Sequence, residues 1–313
     1  MKLNNFKYSN TNKRYHTYSY YLKEKYGQKM FRIMVDAGFS CPNRDGNKTK
    51  YGCSFCSEYG SGDMIKQVVD INQQIDDGFK MMKQKWPNGE AMIYFQAYSN
   101  TYAPLEQLKQ LYNPFFFDNR FKAVIIATRC DCLDEQKIAY FQEMTKYKEV
   151  WIELGLQTVN EKTNRYINRQ HSTQEFIDIV KQLKETNIKV ATHIINGLPF
   201  DSYQDCLNSA KLCADLKVDG IKIHMFHVLK NTLEQYRYQK NNYHLLTKEE
   251  FVNLVVAQLR LLPPETVILR LTGDGVADDL IAPLWTLKKV QVLNDIDKLM
   301  TKLNVYQGDL YHE

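Results

Sequence analysis

The sequence lacks the features that would place the chain outside the cell or in a membrane. Residues 1–13 are mostly polar and contain no apolar segment of the kind found in secretion signals. No window of about 18 apolar residues occurs, so a membrane-spanning helix is not expected. Internal repeats and low-complexity segments are also missing, which excludes solenoids and disordered tracts. These absences predict a cytoplasmic protein with no membrane partner.

Disulfide bonds are not expected either. The chain has seven cysteines, which is an odd number, and no sign of export. Cysteines in a reducing compartment are metal ligands, reactive groups or free thiols rather than partners in disulfide bonds. The cysteines of this chain are therefore expected to be metal ligands or free thiols.

Acidic residues are scarce at the start of the chain. Residues 1–30 contain seven Lys or Arg and six Tyr, but Glu24 is the only acid. One interpretation is a solvated arm packed on the edge of the domain, and the other is a basic, aromatic surface for nucleic acid. The net charge of +5 permits a polyanionic partner without requiring one.

Short apolar runs alternate with helical patterns through the middle of the chain. This alternation predicts an α/β fold with a parallel sheet made of βαβ units. Predicted strands cover 31–35, 91–95, 123–127, 150–156, 190–195 and 220–225. Predicted helices cover 64–85, 105–112, 133–147, 173–186 and 202–216. Six units suit a partial (β/α)6 barrel of the TIM type rather than a closed eight-fold barrel.

We therefore divide the chain into an N-terminal arm (1–30), a core (31–235) and a C-terminal extension (236–313). Within the extension, a helix is predicted over 247–262 with Thr247 as its N-cap. A short apolar run follows at 267–271.

The strongest local motif is a set of three cysteines. Cys41 is followed after eleven residues by Cys53, and Cys56 comes after two more. The set follows a predicted strand, where α/β active sites gather. Three thiolates that leave one iron open suit a [4Fe–4S] cluster. A closed zinc site would need a fourth ligand, such as Cys130, Cys132 or a histidine, and unrelated thiols are a third possibility.

The residues around these cysteines resemble the radical SAM superfamily, in which an aromatic residue precedes the last cysteine, as Phe55 does here. The wide first gap resembles one bacterial family related to the catalytic subunit of Elongator, whereas the common superfamily spacing is C-x3-C-x2-C. Similar phrases extend over about 30–300 and lie at 38–46, 94–102, 153–157, 168–171, 193–199 and 281–285.

The resemblance implies a radical SAM barrel with a [4Fe–4S] cluster on Cys41, Cys53 and Cys56. In such enzymes the open iron binds S-adenosylmethionine, and its reductive cleavage gives a 5′-deoxyadenosyl radical that takes a hydrogen atom from the substrate. Phe55 would lie against the adenine and Gln157 would bind the ribose, near His193. Gln157 and His193 are otherwise interpreted as satisfied core residues.

The resemblance also implies residues at the methionyl end of the cofactor. Gln96 follows the second strand, where relatives often use a glycine-rich turn that this chain lacks, and Thr101 could serve the same turn. Arg169 would clamp the carboxylate of S-adenosylmethionine. Glu153 shares a strand face with Gln157 and would either support the site from below or pair with a basic residue.

Candidate catalytic residues on the substrate side are Asp131, Cys132 and Arg270. Asp131 and Cys132 follow the third strand, at the mouth of the predicted barrel, although a buried, inert thiol is the alternative for Cys132. His224, His227 and Asp274 are further candidates for lining the substrate side or closing the pocket.

The family resemblance suggests a substrate: the C5 side chain of the wobble uridine of tRNA. Expected partners are tRNA and an electron donor such as flavodoxin or ferredoxin. Two alternatives remain. In the first, the chain is a radical SAM enzyme that acts on a protein or a small molecule. In the second, it is a zinc module that binds nucleic acid without catalysis.

Overall fold

One curled parallel sheet forms the centre of the fold. The computed structural model describes residues 4–57, 60, 70–241, 243–273 and 277–312. The main strands are β1 Met30–Val35, β2 Glu90–Phe95, β3 Phe121–Thr128, β4 Glu149–Gln157, β5 Lys189–Asn196, β6 Gly220–Met225 and β8 Val267–Arg270, which follows a short strand, β7 Val228–Leu229. Neighbours run parallel in the order β1-β2-β3-β4-β5-β6-β8, whereas β7 pairs antiparallel with β9 Leu280–Ala282.

Helices connect these strands and cover the outer face of the sheet. The described residues include α1 Tyr18–Tyr26, α2 Ile71–Lys85, α3 Leu105–Phe117, α4 Glu135–Met144, α5 Glu161–Tyr166, α6 Thr173–Lys184, α7 Tyr203–Asp215, α8 Leu233–Asn241, α9 Lys248–Leu261 and α10 Lys289–Leu303. In the part of the chain that the structure describes, no helix combines the length and the apolar character needed to span a bilayer.

The two faces of the sheet differ because successive strand residues point to opposite sides. Outward residues such as Ile33 and Ile152 pack under the helices in the largest hydrophobic core. Inward residues such as Met92 and Trp151 form a smaller apolar cluster inside the curl. The sheet is therefore a partial barrel with a core outside it and a narrow interior.

The predicted α/β partial barrel is confirmed, with one strand more than expected. All six predicted strands are present. The apolar run at 267–271, assigned to the C-terminal extension, supplies β8, which pairs with β6 through Gly220 and Val267. A four-residue strand is too short for its type to be recognised from periodicity.

The predicted helices are present with shifted ends. Three begin with capping boxes, in which Ser172, Ser202 and the predicted Thr247 accept a hydrogen bond from the third helical residue. α3 runs five residues past its predicted end, through Pro114, because Phe115 and Phe116 are packed in the core. The predicted start of α2 at 64–69 lies outside the described residues.

The N-terminal arm is part of the barrel. Thr17 caps α1, and Leu22 packs inside the curl with Met30 and Trp151. The Ile268 amide of β8 donates to the His16 carbonyl at 2.8 Å. The described part of the arm thus packs against the lower end of the barrel.

The tyrosines of α1 serve this packing. Tyr21 and Tyr26 donate hydrogen bonds to Glu149, at 2.8 and 3.1 Å. Tyr18 lies under the buried guanidinium of Arg32, 4.6 Å from its ring centre. These three rings are engaged within the fold, so we assign them no role in stacking on nucleic-acid bases.

Candidate active site

A cavity of about 310 Å³ opens at the carboxyl ends of the strands. Cysteine, aromatic, amide and basic side chains line it together. Of the predicted site residues, the following line the cavity: Cys41, Cys53, Phe55, Cys56, Glu153, Gln157, Arg169, His193 and Arg270. The structure therefore brings most of the predicted cofactor residues into one space.

The three cysteines lie on the loop after β1, each partly exposed toward this cavity. Backbone hydrogen bonds shape the loop. The amide of Arg44 donates to the Cys41 carbonyl at 2.7 Å, and the amide of Cys56 donates to the Cys53 carbonyl at 3.0 Å. The cysteine loop is thus made of two tight turns that hold three thiols at the cavity wall.

Asn43 ties the cysteine loop to the segment that follows α5. Its amide nitrogen donates to the carbonyls of Asn168 and Arg169, at 2.7 and 3.2 Å, and approaches the Cys53 sulfur at 3.6 Å. The amide of Ser54 donates to the Ile167 carbonyl at 2.9 Å. The phrase Cys-Pro-Asn-Arg therefore positions the cysteines through buried polar contacts.

The electrostatics of the loop differ between two of its cysteines. A hydrogen bond from Cys56 lowers the pKa of Cys53 to about 7, and the positive charges of Arg129 and Arg44 act in the same direction against burial. The same hydrogen bond and burial raise the pKa of Cys56 well above its usual value. Thiolates are the form that binds Fe–S clusters. Three thiols facing one cavity, with cations beside them, fit a [4Fe–4S] cluster that leaves one iron open.

The structure does not assemble the zinc alternative. Over 4–57, 60, 70–241, 243–273 and 277–312, no three His, Cys, Asp or Glu side chains meet around a single ion. A cubane cluster differs because each thiolate binds its own iron. Cys130 and Cys132 are buried outside the cavity lining, and the Cys130 sulfur lies 3.2 Å from Nδ1 of His171.

Phe55 lies between the cavity and a small apolar cluster. It is partly buried against Ile167, Leu198 and Phe226. One face of the ring is therefore supported by the protein and the other lines the cavity. This placement is compatible with its predicted position beside an adenine.

Gln157 lies at a bulge where β4 ends. Its φ angle is +59°, and its amide nitrogen is oriented to donate to the carbonyls of Gly155 and Leu156, at 3.0 and 3.2 Å. The side chain folds back over Gly155, where a Cβ would collide with the Gln157 amide. The glycine of the G-x-Q pattern thus makes room for the glutamine.

Replacing Gly155 by alanine should displace the Gln157 amide, because the added methyl group occupies its place. We expect weaker binding of S-adenosylmethionine by about tenfold, corresponding to about 1.4 kcal/mol, the size of one or two lost hydrogen bonds. Isothermal titration of the anaerobic holoenzyme measures this loss. Gly27→Ala is the control: a Cβ there meets nothing within 4 Å, and the cost of its left-handed φ angle of +70° should lower stability without changing cofactor affinity. Equal affinities in both variants would contradict the prediction.

Arg169 has a role that the sequence did not show. Its Nε donates to the His171 carbonyl at 2.9 Å, and Nη1 donates to the carbonyls of Thr158, at 3.0 Å, and Leu156. Burial lowers its pKa to about 10. The guanidinium therefore braces the backbone beyond β4, and its contact with a cofactor carboxylate stays a prediction.

The turn after β2 has no glycine but contains two residues with positive φ angles. Ala97 and Tyr98 have φ angles of +72° and +56°, a region that L-residues enter at a cost. Asn100 holds the turn by donating to the carbonyls of Ala97 and Ala127, each at 2.9 Å. These two residues therefore adopt angles that glycine reaches most easily, and the role of the turn in cofactor binding stays a prediction.

Gln96 and Thr101 lie on either side of this turn and do not line the cavity. Both are buried. The Thr101 hydroxyl donates to the Cys132 carbonyl at 2.8 Å and contacts the Thr128 hydroxyl at 2.7 Å. Their side chains thus shape the turn from behind, and any contact with the cofactor would come from the turn itself.

Glu153 is at the centre of a buried polar network inside the barrel. Its Oε2 accepts from Lys222 at 2.5 Å and Tyr94 at 2.8 Å, and lies 2.9 Å from Nε2 of His193. Burial would raise the pKa of this carboxyl, but the charge of Lys222 and the contact with His193 hold it well below its usual range. The predicted pairing of Glu153 with a basic residue is present, and its support of the cofactor site from below stays a prediction.

The basic members of this network lose affinity for protons through burial. Desolvation lowers the pKa of Lys222 to about 7 and that of His193 to about 4. Arg32 stands nearby with Nε and Nη2 buried and unbonded among the described residues, close to the ring of Tyr94. One carboxylate therefore compensates several basic groups.

Asp131 and Cys132 do not line the cavity, unlike Arg270. Asp131 instead accepts two hydrogen bonds from Arg129, at 2.9 and 2.8 Å. Cys132 is buried, and burial raises the pKa of its thiol to about 12, as expected of an inert cysteine. Asp274 lies outside the described residues.

The sequence interpretation missed Arg129 and Lys222. Arg129 follows the last residue of β3 and faces the cavity, with Asp131 fixing its guanidinium. Lys222 is a lone charge in an apolar strand, and the inward position it shares with His224 was the available signal. His224 and His227, considered from the sequence, do line the cavity.

Comparison with known families identifies the class of this site. The sequence matches the radical SAM superfamily over 45–213 and the radical SAM C-terminal domain over 218–302. The chain belongs to the radical SAM superfamily; it is an enzyme whose cofactors are a [4Fe–4S] cluster and S-adenosylmethionine. The alternative of a zinc module without catalysis is therefore wrong.

Individual relatives narrow the class further. The chain is 41% identical to the "Uncharacterized protein YtqA" of Bacillus subtilis, over 99% of this chain and 97% of the relative. It is 28% identical to Elongator complex protein 3 of Schizosaccharomyces pombe, over 48% of this chain and 28% of that one. It is 25% identical to a "tRNA uridine(34) acetyltransferase" of Methanocaldococcus jannaschii, over 47% and 27%.

A solved structure shares the fold. The Elp3 protein of Methanocaldococcus infernus superposes with a TM-score of 0.66 and 16% identity, covering 90% of this chain and 64% of that one. The chain thus spans less than two thirds of this structure and about a quarter of the Elongator relatives. The family is related to the catalytic subunit of Elongator, as its sequence motifs predicted.

Proposed function

We propose that this enzyme modifies the C5 side chain of the wobble uridine of tRNA. The observation that carries the proposal is the charge of the cavity. Its positive charge comes from Arg44, Arg129, Arg169 and Arg270. His171, His193 and His224 also line it, but burial lowers their pKa values, so they are neutral hydrogen-bonding groups near pH 7. Among the described lining residues only Glu153 brings a carboxylate, and it already binds Lys222. Walls of this charge complement a nucleotide with its phosphates.

The relatives support the same substrate. The name "tRNA uridine(34) acetyltransferase" specifies both tRNA and the wobble position, and Elongator complex protein 3 matches a similar share of this chain. These matches cover only half of the chain, so the substrate is carried to this protein by analogy. The basic cavity is the independent physical support.

Within this function, Cys41, Cys53 and Cys56 would hold the cluster. The bound cofactors supply a radical that abstracts a hydrogen atom from the substrate. Phe55 would support the adenine and Gln157 the ribose, with His193 held by Glu153. Arg169 would act mainly by fixing the backbone.

On the substrate side, we propose that Arg270 contacts the substrate and that Arg129 binds an anionic group. Asp131 would be a positioning residue for Arg129, and Cys132 a packing residue. The cluster also requires a one-electron donor, for which a flavodoxin or a ferredoxin is our proposal.

Nucleoside analysis of tRNA tests this function. Deleting the gene should change the amount of one C5-substituted uridine in hydrolysed tRNA, measured by mass spectrometry, and the change should map to position 34. Restoring the wild-type gene should reverse it, whereas a Cys53→Ala gene should not. If all uridine derivatives stay unchanged, the tRNA assignment is wrong, and a protein or small-molecule substrate becomes the better hypothesis.

A further inference from the structure

Exposed aromatic rings and cations alternate on one side of the cavity mouth. Phe200, in the loop after β5, is 54% exposed, and Tyr236 on α8 is 59% exposed. Single exposed rings are common, but adjoining exposed rings beside a cavity mark interaction sites more often. We call the following residues the rim surface: Lys162, Tyr166, Phe200, Tyr236, Arg237 and Lys240.

Contacts within the rim surface join four of its residues in one series and the other two in a separate pair on α8. Lys162 Nζ lies 4.3 Å from the ring centre of Phe200, whose ring is 4.9 Å from that of Tyr166. The guanidinium of Arg237 lies 3.9 Å from the ring centre of Tyr166. On the same helix, Lys240 lies 5.5 Å from the ring centre of Tyr236. Rings and positive charges are thus interleaved.

The backbone keeps Phe200 in an unusual conformation. Its φ angle is +71°, a region that bulky residues rarely adopt because the side chain crowds the main chain. Asn160 fixes the turn by donating to the Phe200 carbonyl at 3.2 Å. Strain of this kind, at a residue whose ring is outside the core, is typical of binding sites.

The acids near the rim surface are mostly engaged within the fold, whereas Asp201, next to Phe200, is partly buried and its carboxylate oxygens have no hydrogen-bond partner among the described residues. Glu234 is buried and accepts from Arg237 at 2.8 Å and from Tyr243 at 2.6 Å. Asp205 closes the capping box of α7 with Ser202. The charge presented to solvent beside the rings is therefore mainly that of Lys162 and Lys240.

The rim surface is joined directly to the cysteine loop. Arg237 donates to the Tyr166 carbonyl at 2.9 Å, and the next carbonyl, that of Ile167, accepts from the Ser54 amide at 2.9 Å. The amide of Glu234 donates to the Ser54 carbonyl at 3.2 Å. A molecule on the rim surface therefore lies beside the segment between Cys53 and Cys56.

We propose that the rim surface binds the unpaired bases of an RNA loop and so presents one nucleotide to the cavity. Base faces stack on exposed aromatic rings, and nearby cations neutralise phosphates. A duplex hides its base faces, so the surface should prefer an unpaired loop. The identity of the ligand as RNA rests on the proposed function; the location of the surface rests on the contacts above.

Binding of a fluorescein-labelled RNA hairpin with a uridine-containing loop, followed by anisotropy with the anaerobic holoenzyme, tests the inference. The comparison probe is a fully paired duplex of equal length. We expect the hairpin to bind more tightly, and Phe200→Ala with Tyr236→Ala to weaken it about tenfold, the scale of one lost base stack. Lys162→Ala should reduce the salt dependence of hairpin binding.

The chain offers a matched control. Phe117 and Tyr147 are 57% and 53% exposed, and their ring centres are 4.8 Å apart. They come just before β3 and β4, and so lie at the amino ends of the strands, away from the cavity. Phe117→Ala with Tyr147→Ala should leave hairpin binding unchanged. All variants should still form 5′-deoxyadenosine without RNA, which verifies folding and cluster assembly.

Two results would overturn the inference: hairpin binding by the rim variant at wild-type strength, or an equal loss in the control variant. Failure of the proposed function is distinguishable. If the rim variant loses hairpin binding while tRNA nucleosides are unaffected by gene deletion, the surface binds RNA but the wobble-uridine assignment is wrong. If deletion alters a nucleoside while the rim variant binds normally, only the surface is wrong.

Discussion

Cys53→Ala should abolish the radical chemistry of this enzyme. A site with three thiolate ligands cannot lose one and still hold a cubane cluster firmly, because only the irons bound to Cys41 and Cys56 would remain attached to the protein. We expect iron to fall from about four per chain to near zero after anaerobic purification. Formation of 5′-deoxyadenosine from S-adenosylmethionine, with dithionite as reductant, should fall below detection. Iron and sulfide analysis with chromatography of the products checks both.

Cys206→Ala is the matched control for this prediction. Cys206 is buried on α7, where burial raises the pKa of its thiol to about 12, so it is a core residue and no ligand. The variant should keep its iron and its activity while losing some stability. Retention of a full cluster by Cys53→Ala would contradict the ligand assignment, and equal loss in both variants would indicate misfolding.

Glu153→Gln should destabilise the fold strongly. The substitution keeps the shape of the side chain but removes the only charge that compensates Lys222, and the buried Arg32 stays without a counter-charge nearby. Removing one partner of a buried ion pair costs about 3–5 kcal/mol. Urea denaturation of the apo-protein measures the free energy of unfolding. Glu143→Gln is the control, because its pair with Lys146 is exposed and should contribute less than about 1 kcal/mol.

A second substitution separates charge from packing. Lys222→Met in the Glu153→Gln background removes the uncompensated positive charge of the buried lysine and should restore part of the lost stability. If the double variant is as unstable as the single one, the loss comes from packing and the electrostatic explanation fails.

The same pair gives the stability a pH dependence. The pKa of Glu153 is lower in the folded state, so its contribution is complete above the usual carboxyl pKa and is lost as the pH falls below about 4. The pKa of Lys222 is lowered to about 7, so the unfolded chain binds more protons there. Stability from this lysine therefore rises between pH 7 and about 10.

Sequence patterns predicted the sheet well because most strands are short, nearly continuous apolar runs, as expected where both faces of a parallel sheet are buried. β8 was not recognised as a strand since four residues cannot display a period. The cysteine loop was recognised because three thiols at fixed spacing have few alternative uses. The same patterns could not show where α1 packs, because its basic and tyrosine-rich sequence also suits a surface helix.

The polar interior was only partly predictable. Glu153 was noticed because it shares a face with Gln157, but its partner Lys222 is 69 residues away in the sequence. The contacts of Arg169 with the backbone could not be predicted for another reason: the sequence does not show whether an arginine binds backbone carbonyls or a ligand. Only the folded structure shows which N–H donors of a side chain are already hydrogen-bonded within the protein.

The turn at Ala97 and Tyr98 carries a wider consequence. Left-handed φ angles are reached most easily by glycine, but the angles themselves decide the shape of a turn. Here buried hydrogen bonds from Asn100 hold Ala97 and Tyr98 at such angles. A sequence motif defined by glycines misses a turn of this kind, whereas a comparison of backbone dihedral angles finds it.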